Sequence, residues 1–130
     1  MKVTDKKEIL AVDDTLDNLL LLEVILDDEN YHLSCVNSGK LAIEAVATSP
    51  PDLILLDVMM PGMNGYDVTR RIRQDFQLFD IPILLITAHG NVADREWKEA
   101  GADGLLRKPF DIPELLSWVK KLLPTDKATA

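Results

Sequence analysis

Five side chains in this 130-residue sequence have types and positions that could do chemistry together: Asp13, Asp14, Asp57, Thr87 and Lys108. Each stands at the end of a short apolar run. Asp13 and Asp14 close Ile9-Leu10-Ala11-Val12, Asp57 closes residues 53–56, Thr87 closes residues 83–86, and Lys108 follows Leu105-Leu106. Three carboxylates in one place repel one another unless a cation is present. Hard oxygen donors suit Mg²⁺, which keeps several waters and accepts a phosphate oxygen. A lysine supplies a point charge for a second phosphate oxygen, and a threonine hydroxyl can donate to a third. One carboxylate then serves as acceptor, because phosphoryl transfer needs an in-line nucleophile while the other oxygens are neutralised. Chemistry alone does not choose among the acids. Asp57 is favoured because it stands alone, whereas the adjacent pair suits metal binding. Singly, each residue has a plainer reading: Asp13-Asp14 as a helix cap, Thr87 as a strand residue, Lys108 as a solvated charge. The argument rests on all five at strand ends.

The elements that must position them alternate between short apolar runs and longer helical stretches. Residues 9–12, 32–36, 53–56, 83–86 and 105–106 read as strands. Helices are expected over 16–29, from a Ser38 cap to about 48, from the loop 61–65 to about 75, over 92–100 with Gly101 as the stop, and from an Asp111 cap to 123. The strands are continuously apolar instead of alternating, which fits a parallel sheet covered on both faces. Right-handed crossovers then favour an α/β fold with one doubly wound five-stranded sheet. Ligands of such sheets sit outside the carboxyl ends of the strands, where the five residues fall. The expected organisation is a polar extension over 1–7, one domain over 8–123 and a polar tail over 124–130.

Composition narrows the class. The chain is 47 % hydrophobic and 28 % charged, with a net charge of −8. That balance argues against direct nucleic-acid binding, which needs clustered Lys and Arg. No apolar run approaches the roughly 20 residues of a membrane span, and the N-terminal residues do not read as a signal peptide. A cytoplasmic protein without membrane insertion is expected. The single Cys35 lies in a short apolar run and reads as a small buried hydrophobe.

The runs Ala11-Val12-Asp13-Asp14, Asp57-Val58-Met59-Met60-Pro61-Gly62-Met63-Asn64-Gly65, Thr87-Ala88, Gly101-Ala102-Asp103 and Lys108-Pro109-Phe110, in that order, resemble the receiver domains of two-component response regulators. The resemblance covers about residues 8–123. It implies a flavodoxin-like (βα)5 sheet of order 2-1-3-4-5, Asp57 as phosphoacceptor, and Mg²⁺ held by Asp13, Asp14, Asp57 and the backbone carbonyl of Met59. Thr87 and Lys108 would bind the phosphoryl group, and the Lys108–Pro109 peptide would be cis. The donor would be a phosphohistidine of a histidine kinase or a histidine phosphotransfer domain in a phosphorelay. Signalling would pass to a downstream protein effector through the face of the fourth helix, fifth strand and fifth helix, with a phosphorylation-dependent dimer left open. The only catalysis implied is self-phosphorylation from small donors and self-dephosphorylation. The position three before the lysine is Leu105, where many relatives carry Tyr or Phe, so any switch that moves with Thr87 lacks its aromatic half. Met59 and His89, two residues after Asp57 and Thr87, would tune hydrolysis.

Two rival functions use the same fold. A phosphorylation-independent binding module would tolerate loss of the acids, yet all five residues are present. An aspartyl-nucleophile phosphatase would need an acid where Met59 stands.

Partner surfaces are read from apolar side chains in excess. On the first helix Leu21, Leu22, Ile25 and Leu26 can form the buried stripe, which leaves Leu16, Leu19 and Leu20 near an edge as a docking patch. Trp97, among charged residues, and Trp118, off the centre of the last helix's stripe, are further candidates.

Overall fold

The computed structural model describes residues 6–88 and 94–123. Its elements run β1 (Lys7–Val12), α1 (Leu16–Leu26), β2 (Tyr31–Val36), α2 (Gly39–Thr48), β3 (Leu53–Asp57), α3 (Gly65–Gln74), β4 (Ile83–Thr87), α4 (Asp94–Ala100), β5 (Gly104–Arg107) and α5 (Ile112–Leu122). The strands form one parallel sheet of order β2-β1-β3-β4-β5. The chain therefore reverses its winding between β1 and β3, and Asp13 and Asp57 leave the sheet side by side.

Alternation along each strand divides the core in two. Ile54 and Leu56 of β3 face the layer of α2, α3 and α4, where they meet Val46, Val68 and Ile72. Leu53 and Leu55 face the opposite layer, with Leu19, Leu22 and Leu26 of α1 and Leu115 and Val119 of α5. Both faces are covered, which is why β3 and β4 are apolar at every position up to their last residue.

Local chemistry sets the helix starts. The Ser38 hydroxyl accepts the Leu41 N–H at 3.1 Å, and Asp111 accepts the Glu114 N–H at 3.3 Å. Asn64 and Asp67 form a reciprocal capping box at the head of α3, worth about 1 kcal/mol. Arg73, near the end of α3, ties the far side together. Its guanidinium donates to the carbonyls of Gly101, Phe79 and Ile81 at 2.8, 2.8 and 2.7 Å and to Asp103 at 3.0 Å.

Three expectations need correction. α1 stops at Leu26, short of residue 29, because the Asp27 carboxylate accepts the Leu33 N–H and draws the chain toward β2. The buried stripe of α1 is Leu19, Leu22 and Leu26; Leu19 is only 6 % exposed and Leu21 faces solvent. Leu19 is thus a core residue and offers no docking surface. Cys35 is exposed, because β2 is an edge strand and the residue lies on its solvent side. On α5, Ile112 and Leu116 are likewise exposed. Among the described residues no helix is long and apolar enough to cross a membrane.

Candidate functional site

β1 and β3 are neighbours in register, with Val12 opposite Leu56, so the residues that follow share one edge of the sheet. Carboxylate oxygens of Asp13, Asp14 and Asp57 lie within 4.8 Å of one another. Asp13 and Asp57 are buried, Asp57 to 4 % exposure, while Asp14 is open to solvent. From the other side of the sheet Lys108 follows β5, and its Nζ lies 3.1 Å from Asp13 Oδ2 and 3.5 Å from Asp57 Oδ1. The Lys108–Pro109 peptide is cis. Lys108 N–H donates to the Thr87 carbonyl at 2.8 Å, which fixes the lysine to the end of β4. Thr87 itself is buried one residue beyond the Asp57–Ile86 pair.

Asp13 is held from three directions. Its Oδ1 accepts the Thr15 N–H at 2.9 Å, and its Oδ2 accepts Asn18 Nδ2 at 3.1 Å besides the lysine. The helix-cap reading of this residue and the site reading are therefore both satisfied by one carboxylate. Thr15, the residue at the N-cap, makes no side-chain cap bond.

The electrostatics are those of an overcrowded acidic cluster. Burial and then the charge of Asp13 push Asp57 up to about 6 from its ordinary 3.8, with Asp14 adding to the rise; Lys108 and the Met59 N–H oppose it. Two buried carboxylates with one ammonium between them leave negative charge uncompensated. A hard divalent cation is the natural complement to that donor set, and the residues present fit Mg²⁺.

Gly65 explains how α3 reaches the site. A Cβ there would lie 2.6 Å from the Asp57 carbonyl oxygen and 2.8 Å from Val58 Cα, so only glycine lets the helix start against the end of β3. Asn18, Gly65 and Arg73 were not singled out from the sequence as supports. Asn18 had a local signal, since it lies one helical turn into α1 after the acidic pair. The other two depend on contacts across the fold.

Of the remaining sequence candidates, Met59 is exposed and Leu105 half-buried against the α2–α4 layer. His89 lies outside the described residues. Leu20 is exposed. Trp97 is half-buried on the same cluster as Leu105. Trp118 packs its ring over Gly104 of β5, where a Cβ would meet it at 2.5 Å.

The family description "response regulator receiver domain" matches residues 9–120. The chain belongs to that family. It is 44 % identical over 115 residues to response regulator PleD of Caulobacter vibrioides, covering 88 % of this chain and 25 % of PleD. It is 38 % identical over 121 residues to the DNA-binding response regulator MtrA of Mycobacterium tuberculosis, covering 92 % of this chain and 52 % of MtrA. The receiver thus spans between a quarter and about half the length of these curated relatives. Among solved structures it is similar to chemotaxis protein CheY4 of Vibrio cholerae, with a TM-score of 0.83, 30 % identity, and coverage of 91 % of this chain and 99 % of that one. It is also similar to the receiver domain of a Pseudomonas aeruginosa sensor histidine kinase with a magnesium ion in its active-site cleft. That match has a TM-score of 0.82 and 32 % identity, covering 90 % of this chain and 97 % of the other. The receiver's place is in two-component signalling, and its sheet order matches the CheY-like, flavodoxin-like fold.

Proposed function

We propose that this receiver takes a phosphoryl group onto Asp57 from a phosphohistidine of a histidine kinase or phosphotransfer domain, with Mg²⁺, and signals through its α4–β5–α5 face. The observation that carries the reading is the convergence of three carboxylates and the Lys108 ammonium on one sheet edge. Asp13, Asp14, Asp57 and the Met59 carbonyl would hold Mg²⁺, which when bound offsets the repulsion among the acids and the charge on the phosphoryl oxygens.

The protein's own groups do the rest. Asp57, pushed to about 6, is still ionised at neutral pH and keeps an oxygen free to attack. That oxygen forms a bond to phosphorus as the imidazole nitrogen–phosphorus bond breaks, and the neutralised imidazole leaves. Lys108 holds positive charge beside the acceptor oxygen, and Thr87, at the end of the neighbouring strand, offers a hydroxyl to the product. Docking of the donor uses the flank of α1 next to the site. There a cavity of about 460 Å³ is lined by Asn18, Leu21, Ala88, Lys108, Pro109 and Phe110.

Output through the α4 region is supported by an imperfect fit there. The indole N–H of Trp97 is buried without a hydrogen-bond partner among the described residues, and such a group costs about 1–3 kcal/mol. Leu105 shares its cluster and replaces the aromatic residue common in relatives. Repacking of α4 upon a shift of Thr87 therefore carries the signal, with Leu105 following. Intact-mass measurement after incubation with acetyl phosphate tests the chemistry. One phosphoryl group should appear with Mg²⁺ and none with EDTA or in Asp57→Ala; equal labelling in that variant overturns the assignment.

A further inference from the structure

α1 is apolar around nearly its whole circumference, and helices of that kind are ordinarily buried on all sides. Here Leu19, Leu22 and Leu26 are buried, yet Leu16, Leu20, Leu21 and Val24 are exposed, Val24 to 83 %. Leu16, Leu20 and Val24 recur every four residues and so share one side of the helix. Leu21 belongs to the other flank, beside Pro109 and Phe110. Next to Leu16 and Leu20 lies a groove of about 370 Å³ between α1, the end of edge strand β2 and the start of α2, with Cys35, Val36 and Leu41 in its walls and Glu23 among its lining. Burial first, then the charges of Glu23 and Asp27, hold the Cys35 thiol above its ordinary 9.0, which places both acids close to this wall. An apolar groove with an acidic margin has a definite complement.

The chain's own ends do not supply it: residues 124–130 contain no large apolar side chain. A second copy would set Glu23 and Asp27 against acids of its own kind, in a chain of net charge −8. We infer that this groove seats an amphipathic helix of a partner protein, its apolar residues at i, i+3 or i+4, and i+7 lying against Leu16, Leu20, Val24 and Leu41, and its Lys and Arg residues facing Glu23 and Asp27. The surface is separate from the phosphodonor flank and does not depend on the phosphoryl chemistry.

The probe is a synthetic helical peptide of leucine and lysine at that spacing, titrated into the isotope-labelled chain and followed by amide NMR. A matched peptide with glutamate for lysine is the control. Saturable binding is expected, with shifts confined to residues 16–24 and 35–41. Affinity should fall about tenfold or more in Leu20→Lys/Val24→Lys and with the glutamate peptide, and be unchanged in Asp57→Asn. Leu41→Lys, on another element, gives the same answer should the double variant fold poorly. The inference is overturned by absence of saturable binding, by shifts centred on Asp13, Asp57 or Phe110, or by equal binding of the glutamate peptide. Sedimentation showing self-association that Leu20→Lys/Val24→Lys abolishes would give the groove to a second copy and overturn it equally.

Discussion

Replacing Asp57 by asparagine should make the metal-free protein more stable, because the wild-type site holds more negative charge than it can compensate. Burial and the Asp13 carboxylate raise Asp57 from 3.8 to about 6, a gap of 6 − 3.8, about 2.2 pH units. At about 1.36 kcal/mol per unit, ionised Asp57 costs about 3 kcal/mol of folding free energy above pH 7. Between pH 3.8 and 6 the folded protein binds more protons than the unfolded chain, so stability falls as pH rises through that window. Asparagine has no such dependence and leaves the 3.1 Å Lys108–Asp13 pair in place. Urea unfolding in EDTA should therefore give nearly equal stabilities for the two proteins at pH 4, diverging to about 3 kcal/mol in favour of Asp57→Asn at pH 7.5. Millimolar Mg²⁺ should stabilise the wild type more than the variant and narrow the difference. A variant no more stable than wild type at pH 7.5 in EDTA, or a difference that ignores pH, would refute the reasoning.

Other substitutions probe the supports of the site. Gly65→Ala places a Cβ 2.6 Å from the Asp57 carbonyl and should cost about 1–3 kcal/mol in urea unfolding while slowing phosphoryl uptake. A variant of wild-type stability would mean that α3 can back away from β3. Arg73→Lys cannot reproduce four donor contacts from one planar group and should lose about 2–3 kcal/mol by the same assay, with loss below about 0.5 kcal/mol counting against the clamp. Asn64→Ala removes the capping box and should cost about 1 kcal/mol, largely restored by Asn64→Ser; no recovery would place the effect elsewhere than the cap.

Strand identity, sheet order and the five site residues were legible because they depend on short-range signals. Continuous apolar runs mark doubly covered strands, and polar residues at the ends of those runs fall at the one edge where the sheet can hold a ligand. Ser38 and Asp111 announced their helices for a similar reason, since a cap is a contact within four residues. What stayed hidden depends on contacts far apart in sequence. The α1 stripe was misjudged because a helix with apolar residues at Leu19, Leu20, Leu21, Leu22, Ile25 and Leu26 has no single best face. The sheet chooses Leu19, Leu22 and Leu26, and only the assembled fold says so. Cys35 was misplaced because an apolar neighbour set looks alike on a central and an edge strand. Gly65 and Arg73 act across the fold, on the end of β3 and on the loops flanking β4, and no local spacing betrays that.

The most direct measurement of the central claim is to locate the acceptor atom. The protein is phosphorylated by acetyl phosphate with Mg²⁺, the acyl phosphate is reduced with borohydride to homoserine, and the peptides are sequenced by mass spectrometry. The modified residue should be at position 57 alone, and absent when EDTA replaces Mg²⁺. Homoserine at position 13 or 14, or none anywhere under conditions where a phosphohistidine donor loses its phosphate to this chain, would contradict it.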